Sequence, residues 1–512
     1  MSGLDDYEQW TKSSLIARVR HLESQLDESG RLGALADKTR PDKTRPDKTT
    51  RREMDASKYS TRFIALKLAY LGKNYGGFEF QPSGNLPSIE EELWKALTRA
   101  CLIFPNDNKL VKFDCCDYSK CGRTDRGVSA FGQVIALRVR SNRPRLHQGE
   151  PLQFDHVDDE LCYPRLLNRI LPQDIRVLAW CPWLPADFSA RFSCRERQYR
   201  YFFTQPALAP LPSHSSSVKT EWLDIEAMRD AAKRFQGEHD FRNFCKLDPA
   251  KQITNFSRRI FEADIVQVQD DGSTLAYLQD AGFAPPGIPV PDATHLRIFY
   301  FHVRGSAFLW HQIRHMVAIL FLVGQGLEQP SLVSELLNVQ KHAQKPNYVM
   351  ADYLPLVLWD CVFSGDSHGD DQGPAKDSLD WIYIGDDKLK SKFGKFGLVH
   401  DIWALWRQHK MDEVLANQLL RQVSAPRRTR DEPSYQLPSA GATAAGVKVF
   451  DGGNRGRYEG RYVAVMDKKL LQTVEEQNDK YAKRKGYANA QDMWTRRAED
   501  RARLDKACAQ EE

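Results

Sequence analysis

Two successive series of strand-like and helix-like segments limit the folds that this chain can adopt. The first opens with a β-like run at residues 63–70 and continues with a helix that begins after Ser88. Glu91 follows Ser88 by three residues, which is the pattern of a capping box at a helix N-terminus. The apolar face of this helix is expected to span residues 89–104. An alternating apolar run at residues 131–139 then predicts a second strand.

The second series repeats this order. A helix is predicted from Asp224 through Met228 to Phe235, followed by a strand at residues 295–304 and another helix at residues 308–323. Strands that alternate with helices twice over predict an α+β fold: two related α/β halves with antiparallel or mixed sheets. Because ligands commonly bind between such units, we expect a central catalytic cleft.

The remaining sequence suggests flanking segments around these halves. Residues 13–26 place leucine and valine at the spacing of a short amphipathic helix, and residues 37–49 repeat Asp-Lys-Thr-Arg-Pro, which is typical of a linker. The chain of 512 residues can bury a sizeable core. The expected organisation is a helix and linker at 1–59, an N-terminal catalytic half at 60–205, a C-terminal catalytic half at 206–365, and a loop-rich, helical, basic extension at 366–512.

Charge, hydropathy and cysteine usage exclude several classes of protein. The net charge of +5 is mild, so an anionic partner must be bound by local patches. No apolar stretch approaches the roughly 20 residues of a membrane span, and residues 1–10 do not resemble a secretory signal. The ten cysteines are therefore expected as free thiols. Cys115, Cys116 and Cys121 lie close together, but no second pair has ligand spacing nearby, so no metal site is expected.

A glycine-rich loop at residues 121–130 carries the clearest chemical signal. It places Asp125 between Arg123 and Arg126, immediately before the strand at residues 131–139. A carboxylate on a tight loop, held ionised by flanking guanidinium groups, is suited to act as a nucleophile. The arginines also give the loop an affinity for phosphate oxygens. The alternative is that Asp125 only stabilises a turn, as aspartates in glycine-rich turns often do.

Arginines alternate with aromatic residues at 187–203, and Arg191 and Arg197 are the candidate substrate contacts there. This pattern suits a surface that holds phosphates and stacks bases. A β-strand with a solvated charged face is the alternative interpretation. The arginines of this segment are residues 191, 195, 197 and 200, and its aromatic residues include 188, 192, 199 and 201.

A motif at residues 307–316 adds a third candidate group. His311 and His315 have the i, i+4 spacing of a zinc protease, but Gln312 stands where such an enzyme needs a glutamate base. A protease is therefore not expected. Arg314 is a fixed cation near the start of a helix that follows a strand. Taken alone it is also consistent with a surface arginine.

Together these motifs resemble the TruA-type tRNA pseudouridine synthases. The motifs that carry the resemblance occur in the family's order: Gly-Arg-Thr-Asp at 122–125, Leu-Asn at 167–168, Leu-Pro at 171–172 with Asp-Ile at 174–175, Ala-Arg-Phe-Ser at 190–193, Tyr-Arg-Tyr at 199–201, Phe308 and Arg314. The resemblance covers roughly residues 60–365. The sequences at 121–133 and 237–245 are most similar to the eukaryotic branch, which acts at positions 38 and 39 of the tRNA anticodon arm.

The resemblance implies a cofactor-free, metal-free isomerisation of uridine to pseudouridine. Asp125 would be the essential carboxylate; whether it attacks the base, attacks the ribose or removes a ribose proton stays open. Arg123 would help to extrude the target nucleotide, and Arg126 is a candidate phosphate contact. Tyr199 would pack on the base and mediate the final proton removal. Arg314 would pair with Asp125 and keep it ionised.

The implied partners are the tRNA anticodon stem-loop and a second copy of the chain in a homodimer, with the protein in nucleus and cytoplasm. Residues 480–506 carry nine Lys or Arg against four acidic residues, which suits contact with RNA backbone but equally a solvated helix face. Two alternative functions stay open. One is a pseudouridine synthase with other tRNA, messenger RNA or small nuclear RNA targets, and the other is a non-catalytic tRNA-binding or chaperone protein.

Overall fold

A large mixed β-sheet connects the two predicted halves. The computed structural model describes residues 54–107, 109–144, 154–209, 221–269, 296–363, 377–385, 392–393, 397–424 and 447–508. The fold below is that of the unit Ala56–Glu512 within those ranges. The helix predicted at 13–26 and the repeat at 37–49 lie outside the described residues.

The main sheet contains ten of the twelve strands in this part of the chain, and a small hairpin contains the other two. The strands are β1 Ser60–Tyr70, β2 Ser119–Lys120, β3 Ser129–Ser141, β4 Ile175–Cys181, β5 Glu196–Gln205, β6 Gly237–Asp240, β7 Ser257–Gln267, β8 Arg297–Gly305, β9 Leu356–Val362, β10 Ile382–Tyr383, β11 Val447–Val449 and β12 Arg457–Glu459. Strands β11 and β12 form the hairpin.

The order of strands across the main sheet is β10-β4-β1-β3-β9-β5-β8-β7-β6, with β2 pairing separately with β3. Strand β9 lies between β3 and β5 and thereby joins the two halves. Its pairing with β3 is parallel, at Ser129 with Val357 and Ala130 with Leu358. The other strand pairs described in this sheet are antiparallel. The predicted α+β fold with a mixed sheet is therefore confirmed.

Eight α-helices accompany the strands in the described residues. They are α1 Ile89–Arg99, α2 Tyr163–Asn168, α3 Ile225–Lys233, α4 Gln312–Gly324, α5 Leu332–Leu337, α6 Leu398–Ser424, α7 Val474–Arg484 and α8 Ala490–Cys508. None of the helices described is both long and apolar enough to cross a bilayer.

Two predicted helix boundaries were wrong. Ser88 caps α1 by accepting a hydrogen bond from the Glu91 backbone N–H, but the helix ends at Arg99, so Phe104 lies beyond it. Cys101 follows with a left-handed φ of 52°, which is incompatible with a continuing helix. Helix α4 begins at Gln312 instead of residue 308, because His311 has a φ of 60°.

Two hydrophobic cores lie along the sheet. One contains α1, α2, β1, β3 and β4, and the other contains α3, α4, β7 and β8. Strand β5 pairs with both β8 and β9, although it falls at the end of the predicted N-terminal half. Leu358 and Cys361 of β9 pack in the first core. The division at 205/206 stays a prediction.

The C-terminal extension packs against the second core. Phe450 packs against Phe321 of α4 in a tilted arrangement with ring centroids 4.7 Å apart. Glu328 accepts hydrogen bonds from Tyr462 Oη and the Val465 backbone N–H, both at 2.6 Å. Residues 447–465 therefore support the helix that carries Arg314.

Candidate active site

The Asp125 loop crosses the junction of the two halves. Tyr70, at the end of β1, hydrogen-bonds to the Thr124 hydroxyl at 2.8 Å. The buried Gln133 side chain in β3 donates to the Gly122 carbonyl oxygen at 2.8 Å and also contacts its N–H. Because both ends of the loop are anchored to strands, the Asp125 side chain has a fixed position at the start of β3.

Gly127 allows this loop to approach the second half closely. Its φ is +76°, and a Cβ at this position would lie 2.1 Å from the ring of Tyr353. Any other residue would combine backbone strain with a steric clash. The glycine therefore lets the Tyr353 ring pack directly on the turn that follows Asp125.

Two neighbouring side chains from the segment before α4 contact the Asp125 carboxylate. The Trp310 indole N–H donates to Oδ1 at 3.2 Å, and His311 Nε2 lies 3.3 Å from Oδ2. Burial lowers the pKa of His311 to about 3, so its ring is neutral. Since a carboxylate only accepts, this contact favours the tautomer with the proton on Nε2. The left-handed backbone of His311 turns both rings toward Asp125.

Burial is the main influence on the ionisation of Asp125 and raises its pKa above the usual value. The charge of Arg314, the hydrogen bond from Trp310 and the charges of Lys246 and Lys251 act in the opposite direction. The sequence interpretation assigned the stabilisation of the ionised form to the flanking Arg123 and Arg126, whereas the cations that favour it in the structure, Arg314, Lys246 and Lys251, come from the other half of the molecule.

Arg314 occupies the first turn of α4 and is 8% exposed. Its Nε donates to the Ala351 carbonyl oxygen at 2.8 Å, and its guanidinium lies 5.6 Å from the centre of the Tyr353 ring. Burial lowers its pKa, while Asp125 is the strongest of the charges that raise it. Arg314 therefore acts on Asp125 electrostatically across the cleft, and the direct pairing implied by the resemblance stays a prediction.

Tyr199 lies in β5, opposite Leu358 of β9, and lines the same cleft. Its ring meets Phe308 edge to face with centroids 5.2 Å apart. The structure thus brings together Asp125, Tyr199 and Arg314 from three distant parts of the chain.

A cleft of about 1150 Å³ contains all three side chains. It is lined by nine lysine or arginine residues against three acidic residues, Glu79, Asp125 and Asp248. The cations are Lys120, Arg123, Arg126, Arg191, Arg197, Lys246, Lys251, Arg258 and Arg314. A concave surface with this excess of positive charge attracts a polyanion.

The four arginines predicted to bind substrate all line the cleft but differ in their contacts. Arg123 and Arg126 are exposed, and Arg123 pairs with Glu79 at 2.8 Å. Arg191 is also exposed. Arg197 instead donates to the carbonyl oxygens of Ser306, Arg191 and Cys121, at 2.8, 3.0 and 3.2 Å. Its guanidinium holds the walls of the cleft together, and its role as a substrate contact stays a prediction.

The aromatic residues of the 187–203 segment divide between core and surface. Phe188 and Tyr201 are buried, whereas Phe192 is 77% exposed beside Arg191. Arg200 stacks on Trp359, with its guanidinium carbon 3.6 Å from the ring centre. Arg191 and Phe192 therefore retain the character of a base-stacking, phosphate-binding pair.

Trp310, Lys246 and Lys251 are site residues that the sequence motifs did not predict. Lys246 and Lys251 place their ammonium groups 4.7 and 5.6 Å from the Trp310 ring centre. Trp310 could have been found as the aromatic residue next to His311. The prediction of a helix from residue 308 gave its side chain the wrong orientation, because the helix begins at Gln312.

Comparison with known proteins identifies the family. A model described as tRNA pseudouridine synthase matches residues 231–364. The chain is 37% identical over 423 residues to the "tRNA pseudouridine(38/39) synthase" of Bos taurus, covering 81% of this chain and 76% of the relative. It is 38% identical to the protein of that name in Homo sapiens, covering 80% and 74%, and 34% identical to that in Saccharomyces cerevisiae, covering 94% and 93%.

The fold and site define an enzyme with a half-buried carboxylate in a cation-lined cleft. The chain belongs to the tRNA pseudouridine synthase family. The resemblance to the TruA-type enzymes that rested on residues 60–365 is confirmed, and the match to the yeast relative extends it through most of the chain.

Proposed function

We propose that this chain isomerises uridine to pseudouridine at positions 38 and 39 in the anticodon arm of tRNA. The printed names of the eukaryotic relatives support the substrate and the positions. The observation that carries the proposal is the half-buried Asp125 carboxylate, which faces Trp310 and His311 in a cleft rich in cations.

The reaction breaks the bond from ribose C1′ to uracil N1, turns the uracil and joins its C5 to C1′. In the last step C5 loses its proton, and N1, released from the ribose, takes up a proton in exchange. Asp125 is placed to act as nucleophile or base at the ribose or the uracil, and Arg314 favours its ionised form. Tyr199 provides the aromatic wall on which the uracil packs. The isomerisation involves no oxidation or reduction and needs no external group donor.

The rim of the cleft supports nucleotide extrusion. Arg123 has a side chain 52% exposed, and among the described residues its ion pair is with Glu79. Such a pair contributes little, so the guanidinium is available to replace a flipped base at a cost of a few kcal/mol for unstacking. Arg126 and Arg191 supply further exposed guanidinium groups for the RNA backbone.

The test uses tRNA that carries tritium at uridine C5, because each isomerisation releases that hydrogen. Asp125→Asn should bind tRNA as the unaltered chain does and release no tritium above background. Asp117→Asn is the matched control, since Asp117 is exposed and pairs with Arg138 outside the cleft. Tritium release by Asp125→Asn at the control rate would refute the assignment.

Substrate position is tested with tRNAs in which uridine 38, uridine 39 or both are replaced by cytidine. We expect each single replacement to remove one product and the double replacement to remove all product. Product at other sites, or in messenger or small nuclear RNA, would instead favour the synthase with different targets. Binding without product in any RNA would favour the non-catalytic alternative.

We propose that the chain forms a homodimer through α6. None of the residues of this 27-residue helix is buried, and Met411, Leu415, Leu419 and Val423 form an exposed apolar stripe at i, i+4 spacing. Two copies related by a twofold axis would cover this stripe with itself. Light scattering should give a dimer for the unaltered chain and a monomer for Leu415→Glu with Leu419→Glu. A monomer in the unaltered chain would overturn the proposal.

We also propose that the protein is present in nucleus and cytoplasm, where tRNA precursors and mature tRNA occur. Imaging of a fluorescently tagged full-length chain tests this proposal. Exclusion from either compartment would contradict it.

A further inference from the structure

Three buried thiols meet directly beneath the Asp125 loop. They belong to Cys121, Cys194 and Cys361, and their Sγ atoms all lie within 4.8 Å of one another. Cys121 follows β2, Cys194 precedes β5 and Cys361 lies in β9. Cys115 and Cys116, which are close to Cys121 in sequence, are not part of this group. The three thiols therefore come together only through the pairing of distant strands.

The arrangement suits a soft metal ion. Thiolates are ligands of Zn²⁺ and Cu⁺, with metal–sulfur bonds of about 2.3 Å for zinc. An ion in the plane of three sulfurs with bonds of about 2.3 Å separates them by about 4 Å. The observed limit of 4.8 Å requires only small side-chain movements to reach that geometry.

A neighbouring cation would offset the charge of such a site. The Arg197 guanidinium donates to the Cys121 carbonyl oxygen at 3.2 Å and is also fixed by Ser306. Three thiolates around Zn²⁺ or Cu⁺ leave a net negative charge, which is costly in a buried place without a fixed positive partner. Arg197 provides that partner on the wall of the catalytic cleft.

We propose that Cys121, Cys194 and Cys361 bind one d¹⁰ metal ion, Zn²⁺ or Cu⁺, through three thiolates. The bound ion joins the loop that carries Asp125 to the strand that carries Tyr199 and to β9. It is a structural cross-link between the two halves and takes no part in the chemistry. The proposal does not depend on the RNA target of the enzyme.

The experiment measures metal content in the reduced, full-length protein. After removal of metal with a chelator, the chain is titrated separately with Zn²⁺ and with Cu⁺ against a chromophoric competitor. We expect one equivalent of at least one ion per chain, and the two titrations distinguish the ions. Cys116→Ser, which changes a buried thiol outside the group, should keep that equivalent, and Cys361→Ser should retain less than about a tenth of it.

X-ray absorption on the loaded, unaltered chain tests the site without any substitution. We expect a first shell dominated by three sulfurs at about 2.3 Å if the ion is zinc. A shell of nitrogen and oxygen, uptake of neither ion, or full metal content in a folded Cys361→Ser variant would overturn the proposal.

Discussion

The Trp310 indole N–H donates to Asp125 Oδ1 at 3.2 Å, although 185 residues separate them in the chain. This hydrogen bond joins the loop before β3 to the segment before α4, and so joins the two halves of the sheet at the Asp125 carboxylate. It also lowers the pKa of Asp125. The orientation of the carboxylate and its ionisation therefore both depend on a residue from the opposite half.

Trp310→Phe should slow the reaction by about 10- to 100-fold, because the ring remains while the N–H donor to a charged acceptor is lost. Single-turnover tritium release at saturating enzyme measures the chemical step, and filter binding measures tRNA affinity, which should change little. Trp183→Phe is the control, since Trp183 is exposed and outside the cleft. Equal rates for the two variants would show that the indole N–H does not assist Asp125.

The rate should fall on acidification at a higher pH than an exposed aspartate would produce. Burial raises the pKa of Asp125, so its ionised, active form is lost sooner as the pH falls. Arg314 lowers that pKa, and Arg314→Leu should therefore move the acid limb of the single-turnover profile to still higher pH, besides reducing the rate. Identical acid limbs in both proteins would show that Arg314 does not influence the ionisation of Asp125.

The raised pKa of Asp125 also makes the stability of the fold depend on pH, and the fold gains stability as the pH falls. The folded chain binds the Asp125 proton more tightly than the unfolded chain, so ionised Asp125 destabilises the fold at neutral pH and this penalty disappears as the pH falls. Asp125→Asn should therefore raise the melting temperature at pH 7, with a smaller gain at pH 4. Calorimetry at both values, with Asp117→Asn as control, measures the difference. A lower melting temperature for Asp125→Asn at pH 7 would contradict the argument.

Arg197→Lys should destabilise the protein more than it weakens tRNA binding. A lysine cannot reproduce the fork that reaches the carbonyl oxygens of Cys121, Arg191 and Ser306, and the loss should be about 1–3 kcal/mol. Denaturant unfolding measures this loss. The salt dependence of tRNA binding should keep its slope in Arg197→Gln, which removes the charge, whereas Arg191→Ala should reduce it by about one. A reduced slope in Arg197→Gln would instead make Arg197 the phosphate contact predicted from sequence.

Features with a local cause could be predicted from the sequence. The Ser88 cap of α1, the strand that contains Val134 and the turn around Asp125 are set by residues a few positions apart. The pairing of β9 between β3 and β5 has no such local signal. Because that pairing assembles the site, the contact of Trp310 with Asp125 could not be predicted from spacing.

The cysteines illustrate the same limit. Sequence proximity suggested Cys115, Cys116 and Cys121 as the cysteines to weigh for a metal, but Cys115 is exposed. Cys194 and Cys361 reach Cys121 through strand pairing, at separations of 73 and 240 residues in the printed sequence. The predicted motifs located the loop but not the side chains beneath it.

Gly452→Ala should impair both stability and catalysis, although it lies in the C-terminal extension. Gly452 has a φ of +85°, and a Cβ there would lie 2.0 Å from the Tyr201 hydroxyl, which is buried in the second core. The preceding residue, Asp451, accepts a hydrogen bond from the Asp352 backbone N–H at 2.8 Å. Asp352 adjoins Ala351, which holds the Arg314 guanidinium, so a displaced extension shifts Arg314.

We expect Gly452→Ala to cost about 2–4 kcal/mol through the strained backbone and the clash, and to lower the single-turnover rate at temperatures where the variant remains folded. Gly460→Ala is the matched control, because a Cβ there meets no atom within 4 Å. Denaturant unfolding and tritium release on both variants measure the two effects. The chemical step is affected only if the displacement of Arg314 changes its action on the Asp125 carboxylate. A destabilised Gly452→Ala variant with an unchanged rate would therefore show that the extension stabilises the fold without positioning Arg314.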